Sequence, residues 1–402
     1  MHQTNFIVRE PLLDPQQRVL GYELSWQKNA TVPSSDADLE ALIGFVAAQL
    51  VDGAGDWLLR DKILFLDAVP AMLSTDALHA MPPEYTVLNI AAAELDNPDT
   101  LAAVQGLRAG GVGIALRQAD LSKMSRAVVA SASYIEVIFS GANVAAQARS
   151  YAALKQSSAR MVGRPVTTWS DFDACAALGL DAFVGKLHLT PRDGAVVKGM
   201  SAAQTTIVQL MQMVKKNADV RQLEDVLRRD PALSYKLLRF INSASFAQRR
   251  EVQSLRQAIG LLGYSPLYRW LTLLLATSGS SGFSPVLMET AVVRGRLTEL
   301  LGMAALGKVE AESLFVAGMF SLLDRLLGVS MAEVLESIQL PADVVGALMT
   351  RDGKYGPYLA LAEACELNSN LVSSLAAGLS LSPLEVNKAH LSALSWAQNI
   401  AA

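Results

Sequence analysis

The chain has 402 residues, 51% of them hydrophobic and 18% charged. That composition excludes a disordered or fibrous chain and leaves room for two or three domains, each with its own core. The formal net charge is −4, and the two cysteines, Cys175 and Cys365, are far apart and lack metal-ligand spacing, which argues against a disulfide framework or a zinc site and fits a reducing cytoplasm.

The opening MHQTNFIVREPLL has neither a basic start nor an apolar run, so no secretory leader is expected. About 190 residues then alternate short β-rich runs with helical stretches, the pattern of an α/β fold with a parallel sheet. Strands are expected at Phe6–Val8, Gly21–Trp26, Ile63–Asp67, Thr86–Ile90, Gly113–Arg117, Tyr134–Ile138, Arg160–Arg164 and Ala182–Lys186. Eight strands with helices between them predict a TIM-like (β/α) barrel. The segment falls short of the ~250 residues usual for that barrel, so a helix or two should be trimmed. Glycines ahead of strands, as in Gly110-Gly111-Val112-Gly113 and Leu178-Gly179-Leu180, suit helix-to-strand turns.

Thr190-Pro191-Arg192-Asp193-Gly194 interrupts the pattern and sets the expected division. Residues 1–190 form the barrel domain, 191–202 a linker, and 203–402 an all-helical domain. Asp219 is placed to cap a helix ending at Leu227, and Asp230 to cap one that begins at Pro231. In the latter, Leu233, Leu237, Leu238 and Ile241 recur at helical spacing and form a core face. Further helices are expected near 253–262, 265–278, 285–306, 310–328, 330–339, 341–350, 357–367 and 381–399. The charge-free run Trp270–Met288 contains Thr277, Ser278, Gly279 and Pro285, so it is read as a buried helix and loop and no membrane association is expected.

Charge is unevenly spread. Residues 1–200 carry a net −5, residues 215–269 a net +6, and residues 270–402 a net −5. The middle block includes Lys215, Lys216, Arg228, Arg229, Arg249 and Arg250, which suit an acidic partner or nucleic acid. Because Glu224, Asp225, Asp230 and Glu251 are interleaved, the plainer reading is a solvated helical surface. Nucleic acid is therefore not the expected partner.

The first half resembles an EAL domain, the family of magnesium-dependent cyclic di-GMP phosphodiesterases. The resemblance is carried by Arg9-Glu10-Pro11-Leu12-Leu13-Asp14 and by Gly21-Tyr22-Glu23-Leu24-Ser25-Trp26, which match the family's opening hairpin with Glu23-Leu24-Ser25 in place of Glu-Ala-Leu. It implies two divalent cations held by acids and amides at the strand ends, activating water against a phosphodiester. Carried over by position, the ligand glutamate is Glu23, the next asparagine falls on Asp67, and the following glutamate on Asn89. The paired aspartates fall on Arg117 and Gln118, the later lysine and aspartate on Glu136 and Ile138, and two further glutamates on Arg164 and Thr167. A guanidinium repels Mg²⁺ and cannot serve as a general base. No catalytic residue, metal or cofactor is therefore expected, and Arg117 or Arg164 is expected to pair with Glu23 or Asp67 in place of the lost metal charge.

The second half resembles an HDOD domain, a non-catalytic relative of the HD phosphohydrolases. The run from Leu227 to Ala244 carries Asp230-Pro231 at its start and Asn242-Ser243-Ala244 at its close, followed by Ala258-Ile259 and Leu262-Gly263 in the family's order. Where an active HD enzyme carries His-Asp, this chain has Ser321-Leu322, which offers neither ligand. Asn242 and Ser243 are read as capping a helix end. The histidines His2, His79, His188 and His390 are scattered and read as surface or capping residues.

Together the resemblances imply a bacterial cytoplasmic signalling protein of EAL–HDOD type, not an enzyme, that acts by contact with other signalling proteins in networks governing motility, surface attachment or virulence. Three alternatives stand beside it. One is a sensor that binds cyclic di-GMP through Arg117 and Arg164 without cutting it. Another is a residual phosphodiesterase using Glu23, Asp67 and Asn89. The last is a nucleic-acid adaptor using residues 215–256.

Overall fold

The computed structural model describes residues 5–400 except 28–34, 120–123, 139–150, 153, 156, 191–199, 242–251, 253, 278–283 and 339. The chain groups into two compact units, one of residues 1–193, 284–289 and 360–402, the other of 194–283 and 290–359.

In the first unit eight strands close into a barrel in sequence order. They are β1 (Ile7–Leu13), β2 (Val19–Trp26), β3 (Ile63–Asp67), β4 (Thr86–Ala91), β5 (Gly113–Arg117), β6 (Tyr134–Val137), β7 (Arg160–Gly163) and β8 (Ala182–Val184). Each overlaps one of the β-rich runs read from the sequence, although β1 continues to Leu13, five residues past the expected end at Val8. Pairing is parallel from β2 through β8, but β1 is antiparallel to both β2 and β8. That one strand corrects the all-parallel expectation. Only residues 14–18 join β1 to β2, far fewer than the dozen or so that a parallel crossover needs. Asp14 ties this turn by accepting the backbone N–H groups of Gln16 and Arg18 at 2.8 and 2.9 Å.

Successive strand residues face opposite sides of the barrel wall. The inward set Leu12, Phe65, Val87, Ala115, Tyr134, Val162, Ala182 and Val184 forms one buried cluster that fills the barrel interior. Among the outer helices, Asp36–Leu50 starts with a reciprocal cap between Ser35 and Asp38. The helices after β3 and β5 are short, Asp76–His79 and Arg126–Ser131, which is where so small a barrel saves chain. The last helix, Pro383–Ile400, belongs to this unit. Its Asn387 accepts the Ile7 backbone N–H at 2.8 Å and donates to the Asn5 carbonyl at 2.8 Å, completing the backbone bonding where β1 begins.

The described part of the second unit is helical. Helix Ala202–Lys215 opens with a capping box between Ser201 and Gln204, at residues where the sequence suggested the end of a linker. Asp219 caps Val220–Leu227 by accepting from Arg221 N–H at 2.8 Å, and Asp230 accepts from Leu233 N–H at 3.0 Å at the start of Pro231–Ile241. Pro285–Phe320 is broken at Gly307, whose φ of 78° suits glycine alone, so the two helices expected there meet end to end at one residue.

Beyond that break the helix pairs closely with the segment before it. The Thr298 hydroxyl lies 2.9 Å from the Leu314 carbonyl, and a Cβ on Gly318 would fall 2.7 Å from the Arg294 carbonyl oxygen. Gly318→Ala is therefore expected to destabilise the protein by about 1–3 kcal/mol, the usual cost of forcing atoms into a packed interior. Urea denaturation measures this, and an unchanged midpoint would show that the helix pair separates without penalty.

Candidate functional site

The site follows from strand periodicity. A residue two positions beyond a barrel-filling side chain faces the same way, one layer nearer the strand's end. Phe65 leads to Asp67, Val87 to Asn89, Ala115 to Arg117, Tyr134 to Glu136, Val162 to Arg164 and Val184 to Lys186. On β2 the same step runs from Gly21 to Glu23, and on antiparallel β1 from Leu12 back to Glu10. Polar side chains from all eight strands thus gather at the C-terminal mouth, the end where barrels of this kind carry their sites.

Two guanidiniums organise them. Arg117 lies 2.7 Å from Glu23, 2.5 Å from Asp67 and 3.4 Å from Glu136. Arg164 bonds Glu23 closely and stands 3.3 Å from Glu136 and 3.7 Å from Glu10. Lys186 faces Glu10 at 3.7 Å, and the Asn89 amide donates to Asp67 at 3.2 Å. Glu23 is the hub, its two oxygens each taken by a different arginine, with 9% of its side chain exposed. The sequence suggested a pairing of Arg117 or Arg164 with Glu23 or Asp67; Arg117 pairs with both acids and Arg164 with Glu23.

Three cations facing four carboxylates leave the cluster close to neutral. Burial works against the Arg117 charge, but Glu23, Asp67 and Glu136 outweigh it and hold its pKa above the ordinary value. Burial raises the pKa of Glu136, opposed by Arg164 and Arg117. Burial also lowers the Lys186 ammonium, against the pull of Glu10. Buried ion clusters need this degree of mutual bonding to offset their desolvation.

The magnesium that the EAL resemblance implies does not fit this donor set. Glu23, Asp67 and Glu136 each face a guanidinium at the positions a cation would take. Among the described residues no group of three or more histidine, cysteine or acidic side chains is arranged to hold a metal.

The remaining positions separate. Gln118 follows β5 with a positive φ of 52°, Ile138 is 62% exposed, and Thr167 is exposed. Glu10 and Lys186 belong to the mouth and escaped the motif comparison; their two-residue step from Leu12 and Val184 was the available signal. In the second unit the Ser321 hydroxyl donates to the Gly318 carbonyl at 2.6 Å and accepts from Arg294 at 2.8 Å, while Leu322 is buried. Asp230 caps a helix, Pro231 opens it, and Asn242 and Ser243 lie outside the described residues, as do Arg249 and Arg250.

Two cations of the basic block serve the fold. Arg228 and Arg256 both bond the buried Glu224, at 2.6 and 2.7 Å. Two histidines correct their surface reading: His188 and His390 are 4% and 1% exposed, because each lies on the apolar side of its element, which its isolation in the sequence did not reveal.

The HDOD domain family matches residues 200–335. A curated relative from Vibrio cholerae, "Cyclic di-GMP phosphodiesterase CdgJ", is 28% identical over 371 residues, covering 90% of this chain and 85% of its own. "Uncharacterized protein YuxH" of Bacillus subtilis is 23% identical over 414 residues, covering 98% of each chain. Among solved structures, the EAL domain of Mycobacterium smegmatis DcpA is 13% identical, with 45% of this chain and 90% of that one covered and a TM-score of 0.38.

The Vibrio relative overturns the expectation that the chain is not an enzyme. Replaced ligand letters remove one arrangement of metal ligands. They do not remove the oxygen donors of Glu23, Asp67, Asn89 and Glu136, which the barrel still collects at one mouth. No helix among the described residues is long and apolar enough to cross a membrane. The barrel with its hairpin start, the HDOD match and two relatives aligned along nearly the whole chain support a two-domain EAL–HDOD protein.

Proposed function

We propose that the chain is a signalling protein of cyclic di-GMP networks that works through contacts with other signalling proteins. The arginine–carboxylate cluster carries the reading. Arg117 ties β5 to β2, β3 and β6, so the mouth keeps one shape that a partner can recognise without a metal to assemble it. The processes that the family resemblance implies are motility, surface attachment or virulence, in a bacterial cytoplasm.

A second reading rests on one observation, the Vibrio relative's name. It brings cyclic di-GMP hydrolysis to this chain, with the dinucleotide at the barrel mouth. There the phosphates would exchange places with Glu23, Asp67 and Glu136 on Arg117 and Arg164, which bind phosphate as readily as carboxylate.

Calorimetric titration with cyclic di-GMP, with and without Mg²⁺, followed by product analysis of the same samples, separates the readings. The first predicts association with a signalling protein that Arg117→Met weakens. Linear dinucleotide accumulating in proportion to protein would establish the second, and unchanged association in Arg117→Met would overturn the first. Binding without product, abolished in Arg117→Met and Arg164→Met, would place the dinucleotide at the mouth as a signal.

A further inference from the structure

The second unit holds a cavity of about 490 Å³, within the range of small-molecule sites. Nothing in the barrel chemistry involves it. Its walls are mostly apolar, with Val214, Phe315, Val316 and Val344 among them. Val309, 78% exposed, stands at its rim and marks where it opens to water.

The polar groups that line it are chiefly donors. Among the described residues the Tyr268 hydroxyl has no hydrogen-bond partner, and burial pushes its pKa up to about 12, so at neutral pH it remains a donor. Lys215, the last residue of its helix, lines the same cavity, and burial lowers its pKa. An anion brought beside it would favour the charged form. Arg269 lays its guanidinium over the Phe315 ring, 4.1 Å from the centroid, and gives both terminal nitrogens to Glu299. Glu312 is the acid among the lining residues, and the Ser265 hydroxyl already donates to it.

An apolar chamber with a stacked cation–aromatic wall suits a flat ring. A phenol donor and a partly desolvated ammonium suit a single negative head. We propose that this cavity binds a small aromatic monocarboxylate, its ring between the valines and the Arg269–Phe315 wall and its carboxylate toward Tyr268 and Lys215. The HDOD unit would then be a receiver for a metabolite signal as well as a scaffold.

The test uses the full chain. Anilinonaphthalene sulfonate serves as a fluorescent aromatic anion, with naphthoate and the neutral naphthamide as competitors. One saturable site is expected, with naphthoate displacing the dye and naphthamide weaker by about tenfold or more, the loss of one charge-assisted bond. Tyr268→Phe, which keeps the cavity's shape, should weaken naphthoate by about tenfold. Val309→Trp, at an exposed position where folding is not at stake, should block entry. Equal competition by naphthamide would overturn the anion assignment. Naphthoate binding untouched by both variants, or no saturable binding at all, would overturn the site.

Discussion

Arg117→Met is expected to lower the stability of the protein by about 2–4 kcal/mol at neutral pH. The substitution keeps much of the side chain's bulk and removes the charge. It leaves Glu23, Asp67 and Glu136 facing one another at the barrel mouth with only Arg164 between them. Removing one partner of a fully buried ion pair typically costs 3–5 kcal/mol, because the other charge stays buried and unmatched. Here 21% of the Arg117 side chain and 22% of the Asp67 side chain remain exposed, so solvent recovers part of that loss.

Two further results should accompany it. Adding Glu23→Gln to Arg117→Met should return part of the stability, since the hub carboxylate then carries no charge. The penalty should also shrink on acidification, with Glu136 taking up a proton first because burial already raises its pKa. Urea melts of the single and double variants decide the matter. An unchanged midpoint in Arg117→Met would show that each carboxylate is separately hydrated and that the arginine does not hold the mouth together.

Acid should unfold the first unit through His390. This imidazole is 1% exposed, and neither ring nitrogen has a hydrogen-bond partner among the described residues. Burial, aided by the nearby Arg9 charge, pushes its pKa down to about 3. The unfolded chain takes up a proton near pH 6.5, while the folded one resists until about pH 3. Its contribution is therefore intact above about pH 6.5 and is lost as pH falls toward 3, at up to about 1.4 kcal/mol per pH unit. Between pH 7 and pH 4 that amounts to about 3 kcal/mol. His390→Leu, which fills the same space without a proton site, should flatten this slope and leave neutral stability equal or higher. A variant whose stability falls with acid as steeply as the parent would show that other groups drive acid unfolding.

The strands were legible because each β-rich run also had to fill the barrel. Phe65, Val87, Tyr134 and Val162 are large or branched, and their period of two survives in the letters. The caps were legible for a similar reason. Asp219 and Asp230 act on backbone groups two or three residues away, so no distant part of the chain can overrule them. Gly307 was found only as a gap between two expected helices, since a positive φ is a property of the fold and not of a glycine in a string.

The membership of the last helix was not legible. Pro383–Ile400 reads as one more amphipathic helix of the all-α half, and yet it groups with the barrel unit. Periodicity reports that a helix has an apolar face, not which core that face covers. Asn387 is the telling residue, a polar side chain inside the helix whose two bonds go to the start of β1, some 380 positions away. Nor did motif comparison find Glu10 and Lys186, because they complete the mouth by strand register alone. The same limit applied to activity. Replaced ligands were readable letter by letter and pointed away from an enzyme, whereas a Vibrio relative 28% identical along most of the chain is named a phosphodiesterase.

By itself the sequence determined the two classes of architecture, the order of the eight strands, most helix starts and the identity of the charged residues at the strand ends. These depend on side-chain period and on bonds between near neighbours, both of which are written along the chain. Only the tertiary structure decided that Arg117 and Arg164, from two strands, converge on Glu23 of a third, that His390 is buried without a hydrogen-bond partner among the described residues, and that a donor-lined cavity opens in the helical unit. Those properties arise where residues distant in sequence share a few ångströms, and closure of the barrel and packing of the helices create that proximity.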